Sequence, residues 1–377
     1  MVESSKTEKD KFIPIARPDL PDMGDIKEDI ETILKSGMIT NYEFVRRFEK
    51  KIAEFLNVKY AACVSSGTSA LMLAAKALDL KGEVIVPSFT FSATAHALVW
   101  CGLKPIFVDA ERDTFNIDIE KVKEAITPRT SAIVPVHVFG NPCKIDELEK
   151  LSKENNLKLL FDSAHAFGTS FNGKKVGGFG DAEIFSLTPT KVLTAAEGGV
   201  VTTNNRETYE QVVLDREYGK QPNYDCKTIG ISARMGEFNA ILGIHNLAKL
   251  DENIKRRKKL YDFYKSELED VKGISFQKIN SSAHCSIKDF AIIIDKNLFG
   301  IDRDELAEAL TEEKIGWRKY FYPPLHRETA YGNMNNRGDA LPNTNFISDN
   351  ILNLPFFTAL KTNDIVRICN VIKKLQH

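Results

Sequence analysis

The segment Tyr60-Ala-Ala-Cys-Val-Ser-Ser-Gly-Thr-Ser-Ala-Leu-Met-Leu-Ala-Ala-Lys-Ala-Leu78 decides the fold. Tyr60 to Val64 is a short apolar run, the next residues are small and polar, and Ser69 to Leu78 is helical in composition and spacing. A strand, a tight loop and a helix in direct succession are the unit of an α/β sheet. Working outward, similar apolar runs occur at Glu83 to Val86, Pro105 to Val108, Ala132 to Pro135, Lys158 to Phe161 and Gly199 to Thr202, with helical stretches such as Ile145 to Asn155 between them. Runs without polar alternation predict strands buried on both faces of a mostly parallel sheet, which needs helical crossovers. Upstream, Asp25 to Leu56 is helical and broken at Gly37-Met-Ile-Thr-Asn41. Downstream, one long helical stretch from Arg234 to about Leu268 leads into a mixed region. That region holds an expected strand at Phe290 to Ile294 and helices at Arg303 to Glu313 and Asp364 to Leu375. The expected organisation is a mobile tail over 1–12, a large α/β domain over 13–245 and a smaller α+β domain over 246–377.

Composition narrows the function. The 377 residues carry 51 Lys and Arg against 52 Asp and Glu, a net charge of -1 that offers no global field for nucleic acid or an anionic membrane. An anionic ligand must therefore be held locally. Six scattered cysteines without a C-x-x-C pair fit reduced thiols in a cytoplasm rather than a disulfide framework or a zinc site. The polar N-terminus resembles neither a signal peptide nor a membrane span.

Three constellations lie at or near strand ends, where open α/β sheets bind ligands. In Val64-Ser-Ser-Gly-Thr-Ser-Ala-Leu71, free N–H groups at a helix start and the small Gly67 suit a phosphate. A plain helix N-cap explains the same residues equally well. In Leu159-Leu-Phe-Asp-Ser-Ala-His-Ala-Phe-Gly168, the charged Asp162 follows an apolar strand. It would be costly to bury unless paired, and a protonated pyridine nitrogen would pair with it; the commoner fate of such an Asp is to cap the next helix. His165 could reach the phenolic oxygen of the same ring, although a lone histidine is more often structural. In Phe185-Ser-Leu-Thr-Pro-Thr-Lys-Val-Leu-Thr-Ala-Ala-Glu-Gly-Gly199, Lys191 sits among small and apolar residues. Such surroundings lower an amine's pKa and favour the neutral nucleophile that forms a Schiff base. Anion loop, acid and lysine in this order point to pyridoxal phosphate (PLP) bound through Lys191.

These motifs resemble the sugar aminotransferases of the DegT/DnrJ/EryC1/StrS type, within the fold type I PLP enzymes. The likeness runs from Gly37-Met-Ile-Thr-Asn41 through Ser66-Gly-Thr-Ser-Ala70, Pro87-Ser-Phe-Thr-Phe-Ser-Ala-Thr94 and Val136-His-Val-Phe-Gly140 to Arg318-Lys-Tyr-Phe-Tyr-Pro-Pro-Leu-His326 and Leu352-Asn-Leu-Pro355. The resemblance implies Lys191 as Schiff-base lysine and proton carrier, and Asp162 on the pyridine nitrogen. It also implies Gly67, Thr68 and Ser186 on the phosphate and Phe91 stacked on the ring. The pattern His165, Asp181-Ala-Glu-Ile-Phe185 and Ala196 before Glu197 resembles the subgroup that aminates carbon 4 of dTDP-4-keto-6-deoxyglucose. Tyr320, Tyr322 and His326 are the expected sugar-binding residues. Ser232 stands where the family usually has an Asn that reaches the phosphate of the neighbouring subunit's cofactor. A homodimer with shared active sites is implied as well, with L-glutamate and a nucleotide-linked keto-sugar as substrates and with no metal.

Other readings stay open at this point: a galactose-configured product, amination at carbon 3, a deoxysugar dehydratase using pyridoxamine phosphate, or a PLP-binding regulator without turnover. The dehydratases typically carry histidine in place of the lysine, so Lys191 argues for amino transfer.

Overall fold

A computed structural model describes residues 11–332 and 341–376. Nearly all of the expected tail over 1–12 falls outside the described residues, and Ile13, its neighbour, is buried.

Two amphipathic helices open the chain, α1 (Met23–Ser36) and α2 (Glu43–Leu56). Gly37 ends α1 in the left-handed region at φ 69°, the usual place for a residue without Cβ. The large unit then alternates β1 (Tyr60–Val64), α3 (Gly67–Ala77), β2 (Glu83–Pro87), α4 (Ala93–Trp100), β3 (Lys104–Val108), α5 (Ile119–Ala125), β4 (Thr130–Ile133), α6 (Ile145–Glu154) and β5 (Lys158–Asp162). Two-residue strands β6 (Ser170–Phe171) and β7 (Lys174–Lys175) follow, then β8 (Ala182–Ser186), β9 (Gly199–Thr203) and α7 (Arg206–Asp215).

Seven of these strands form one sheet in the order β1-β9-β8-β5-β4-β2-β3. All pairs are parallel except those made by β9, which runs antiparallel to both neighbours. The expected mostly parallel α/β sheet is present, with two refinements. Ala182–Ser186 is a central strand that pattern reading passed over, because Glu183 interrupts its apolar run. Gly199–Thr203 is antiparallel, and the loop over 187–198 that leads to it from β8 carries none of the helix that a parallel crossover uses. Helices cover both faces. The core on one face gathers α1, α2, α5 and α6 residues such as Ile33, Phe48, Val122 and Leu148, and the other gathers Leu71, Leu73 and Leu98 from α3 and α4 with Val212 from α7.

The stretch read as one helix from Arg234 to Leu268 is two, α8 (Glu237–Ala248) and α9 (Leu250–Leu268), broken at Lys249. Each belongs to different packing: Ile241 and Ile244 of α8 join the large unit's core, whereas Leu260, Tyr264 and Leu268 of α9 join the C-terminal one. Glu237, 1 % exposed, opens α8 and accepts hydrogen bonds from Tyr42, Phe44 and Val45 N–H at 2.8, 2.7 and 3.1 Å. It thereby satisfies the bare N-terminus of α2, which has no cap of its own.

The C-terminal unit is a three-stranded antiparallel sheet, ordered β10 (Ile274–Phe276), β12 (Phe290–Ile294), β13 (Ile351–Leu354). It packs with α11 (Arg303–Glu312) and α13 (Thr362–Lys374); the short α10 (Lys296–Phe299) and α12 (Pro342–Asn350) complete the helices, and β11 (Ala283–His284) pairs with β6. Ile13, expected in the large domain, packs into this C-terminal core and bridges Ile315. Leu250 and Ile254 lie in the large unit's core and Leu260 in the other, so the changeover falls within α9 rather than at 246. Phe89, Phe115, Phe139 and Phe321 form an aromatic cluster between the two cores. No described helix is long and apolar enough to cross a membrane.

Candidate active site

The carboxyl ends of β1, β2, β4, β5 and β8 face one cavity of about 360 Å³. Its walls hold Gly67, Thr68, Phe91, Asp162, His165, Ser186, Lys191 and Tyr320, eight of the residues singled out from sequence, together with Thr90, Thr94, Lys288 and Phe321. Strand register makes this convergence possible. Gly199 on β9 pairs with Val64 on one side and Ser186 on the other, which brings the loop after β1 alongside the end of β8. Contact there is tight: a Cβ on Gly199 would lie 2.3 Å from the Ser66 carbonyl oxygen, and one on Gly67 would lie 2.9 Å from Ser186 Cβ. Both glycines are therefore required by close approach.

Both readings of the Ser66 loop hold at once. The Ser66 hydroxyl accepts from Ser69 N–H at 3.0 Å and Ser69 Oγ accepts from Ser66 N–H at 3.0 Å, a reciprocal capping box. The cap leaves the N–H groups of Gly67 and Thr68, the first residues of α3, without intrahelical acceptors at the cavity wall. Ser186 Oγ stands beside them, with Thr188 Oγ1 3.4 Å away. N–H donors at a helix start with hydroxyls alongside fit a phosphate dianion.

Asp162 ends β5 and is 4 % exposed. Its Oδ2 accepts from Thr94 Oγ1 at 2.7 Å and its Oδ1 from Ala164 N–H at 3.1 Å. Burial raises its pKa, and these hydrogen bonds and Lys191 oppose the rise. A carboxylate so held calls for a cationic partner, which a protonated ring nitrogen supplies.

Lys191 is partly open to the cavity but hemmed in by protein. Burial, and after it the charge of Lys288, lowers its amine to about 7, so a large share is the neutral nucleophile near neutral pH. His165 accepts from Phe139 N–H at Nδ1, 3.2 Å away, which leaves Nε2 as the donor of the neutral ring. Burial, then Lys191 and Lys288, holds its pKa well below the ordinary value. Its ring stacks on Phe321, centroids 6.0 Å apart, and on Phe139, 6.1 Å apart.

Three expected site residues lie elsewhere. His326 is buried off the cavity: its Nδ1 and Ser88 Oγ are 2.7 Å apart and its Nε2 and Asn345 Oδ1 are 3.0 Å apart, so it packs the fold rather than facing a sugar. Tyr322, half exposed, sits in an adjoining groove with Trp317 and Arg318 rather than in the cavity itself. Ser232 is exposed, outside this chain's own cavity lining. Sequence reading assigned no role of their own to Thr94 and Phe321, although they lie in the quoted Pro87 to Thr94 and Arg318 to His326 motifs, and nothing in local pattern marked Lys288.

A partly buried lysine of lowered pKa, a buried carboxylate and an N–H cradle at the ends of parallel strands define a fold type I PLP enzyme. Residues 22–373 match the DegT/DnrJ/EryC1/StrS aminotransferase family, and the chain belongs to that family. It is 34 % identical over 368 residues to the dTDP-4-amino-4,6-dideoxy-D-glucose transaminase of Escherichia coli, covering 96 % of this chain and 98 % of that one. It is 34 % identical to the GDP-perosamine synthase of Vibrio cholerae, over 96 % and 98 % of the two chains. A crystal structure of DesI with its TDP-sugar product superposes with a TM-score of 0.91 at 35 % identity, covering 97 % of this chain and 93 % of DesI. The protein is accordingly a PLP-dependent aminotransferase.

Proposed function

We propose that this enzyme moves the amino group of L-glutamate to carbon 4 of dTDP-4-keto-6-deoxyglucose, giving dTDP-4-amino-4,6-dideoxyglucose. The observation that carries amino transfer is the joint placement of Lys191, Asp162 and the Gly67–Thr68 cradle in one cavity. The acceptor is read from the transaminase of Escherichia coli and from DesI with its TDP-sugar product, both similar along nearly the whole chain.

Gly67 and Thr68 N–H groups and the Ser186 hydroxyl would hold the PLP phosphate, Asp162 the ring nitrogen, Lys191 the aldehyde carbon, Phe91 a ring face and His165 Nε2–H the phenolic oxygen. PLP supplies an electron sink for the negative charge that develops at the carbon losing its proton. Asp162 keeps the ring nitrogen protonated, and Thr94 fixes the carboxylate that does so. Once free of the cofactor, the Lys191 amine would take the proton from the donor's α-carbon and deliver one to the acceptor's carbon 4, and the burial that disfavours its charged form suits it to that role. Tyr320 and Tyr322 line the route to the surface and serve the sugar nucleotide.

The reading includes a homodimer in the cytoplasm, with each site completed by its neighbour. Its support is the exposure of three large apolar residues, Tyr218, Ile229 and Phe238, near the exposed Ser232 in sequence, since exposed apolar side chains suit a second copy. A GDP-linked acceptor is the second reading, favoured by the equal identity to GDP-perosamine synthase.

The test is the visible absorption of the holoenzyme. Glutamate should bleach the band of the lysine-bound cofactor, and dTDP-4-keto-6-deoxyglucose should restore it. Restoration by the GDP-linked keto-sugar alone would replace the acceptor, and no response to glutamate would refute transamination. A molar mass of one chain in solution would refute the dimer.

A further inference from the structure

The cavity holds a second lysine that none of these roles uses. Lys288 is 4 % exposed and lines the same walls as Lys191, and its Nζ lies 5.3 Å from the centre of the Tyr320 ring. Lys191 and His165 line the same cavity, and the charge of Lys288 lowers the pKa of both. Asp289 Oδ2, 2.6 Å away, is its acceptor among the described residues, and an ammonium has three protons to donate.

The backbone that carries Lys288 is firmly held. Ile287, a β-branched residue, sits at φ 52°, in the left-handed region such residues avoid. Lys288 N–H donates to the Phe139 carbonyl at 2.9 Å. The carbonyls of Ile287 and Lys288 accept from the buried Arg257 at 2.9 and 2.6 Å. Three such bonds, with the Ile287 side chain buried in the C-terminal core, hold the strained turn and so fix where Lys288 enters the cavity.

The two substrates differ in what they bring here. The donor carries two carboxylates and the keto-sugar end carries none. The phosphate has its own cradle, Asp162 is taken by the ring nitrogen, and Lys191 works as a neutral base. Lys288 is the remaining lysine of the lining. We propose that Lys288 binds a carboxylate of the amino donor, one ammonium serving both that group and Asp289, and that Asp289 alone neutralises it while the uncharged sugar end occupies the cavity. This rests on the transaminase reading above. It explains how one cavity accepts in turn a dianionic donor and an uncharged ketone without burying an unpaired charge.

The test uses holoenzyme and follows the two half-reactions separately. Bleaching of wild type by glutamate establishes the underlying reading first; its absence would refute that reading and this one with it. In Lys288→Gln the glutamate concentration for half-maximal bleaching should rise about 30-fold while the keto-sugar half-reaction keeps its concentration dependence. Glutarate, a dicarboxylate that cannot react, should lose calorimetric affinity in parallel. Lys288→Arg, which keeps the cation, should retain glutarate binding to within about tenfold and so exclude damage to the fold. Unchanged glutamate and glutarate dependence in Lys288→Gln would overturn the proposal. So would equal weakening of both half-reactions with no recovery in Lys288→Arg.

Discussion

Thr94 Oγ1 donates to Asp162 Oδ2 at 2.7 Å, joining the first turn of α4 to the last residue of β5. Thr90 Oγ1 stands 3.0 Å behind it, so the carboxylate is oriented by a short hydroxyl relay. A hydrogen bond to a charged, buried group contributes about 1.5 to 3 kcal/mol. Thr94→Val should therefore lower kcat/KM by about 10- to 100-fold with the cofactor still bound. Asp162→Asn, which removes the charge, should cost at least as much. Steady-state kinetics with cofactor occupancy checks both: full activity in Asp162→Asn would remove Asp162 from the ring nitrogen, and full activity in Thr94→Val would show that the Thr94 hydroxyl is not needed to hold it.

Lys191 gives a pH signature. Its lowered pKa means that the amine is protonated below about 7 and neutral above it. Uptake of PLP by the apoenzyme should accelerate as pH rises through that region and then level off. Stopped-flow absorbance measures it; a limb near the ordinary lysine value would show that the cavity does not depress this amine. Lys191→Ala should abolish turnover, a loss on the order of 1,000-fold or more.

Glu183 is the buried acid that interrupts β8. Its Oε1 accepts from Gly177 and Phe179 N–H at 2.7 and 2.8 Å, and its Oε2 accepts from Ser163 Oγ at 2.6 Å. Burial raises its carboxyl from 4.5 to about 7. Between those values the folded chain binds more protons than the unfolded one, so this group's contribution to stability falls as pH rises from 4.5 to 7 and is flat above. Glu183→Gln mimics the protonated form. It should match wild type near pH 4.5 and exceed it above pH 7 by up to about 3 kcal/mol. Denaturant titrations at the two pH values decide it, and a constant difference would show that Glu183 is ionised throughout.

His326 separates packing from binding. Its ring joins Ser88 and Asn345 in a buried contact. His326→Ala should destabilise the fold by about 2 kcal/mol through unpaired partners. The KM for the keto-sugar should stay at its wild-type value; a selective rise in that KM at unchanged stability would return His326 to the substrate.

Much of the site was legible in the chain because its signals are local. Asp162 at the end of an apolar run, Lys191 among small residues and Gly67 before a helix are readable by spacing, since strand ends and helix starts are short-range features. Glu183 hid its strand because a carboxylate in an apolar run reads as an interruption until Ser163 and two backbone N–H groups are seen to satisfy it.

The sequence by itself determined the alternation of strands and helices, the side of the sheet on which ligands gather and the residues that can hold a Schiff base and a phosphate, because apolar periodicity and small-residue loops act within a few positions. Only the tertiary structure decided the antiparallel direction of β9, the capping of α2 by Glu237, the hold of Thr94 on Asp162, the retreat of His326 from the cavity and the arrival of Lys288 in it. Each depends on groups tens to hundreds of residues apart meeting at bonding distance, and strand register and packing, not local propensity, set that meeting.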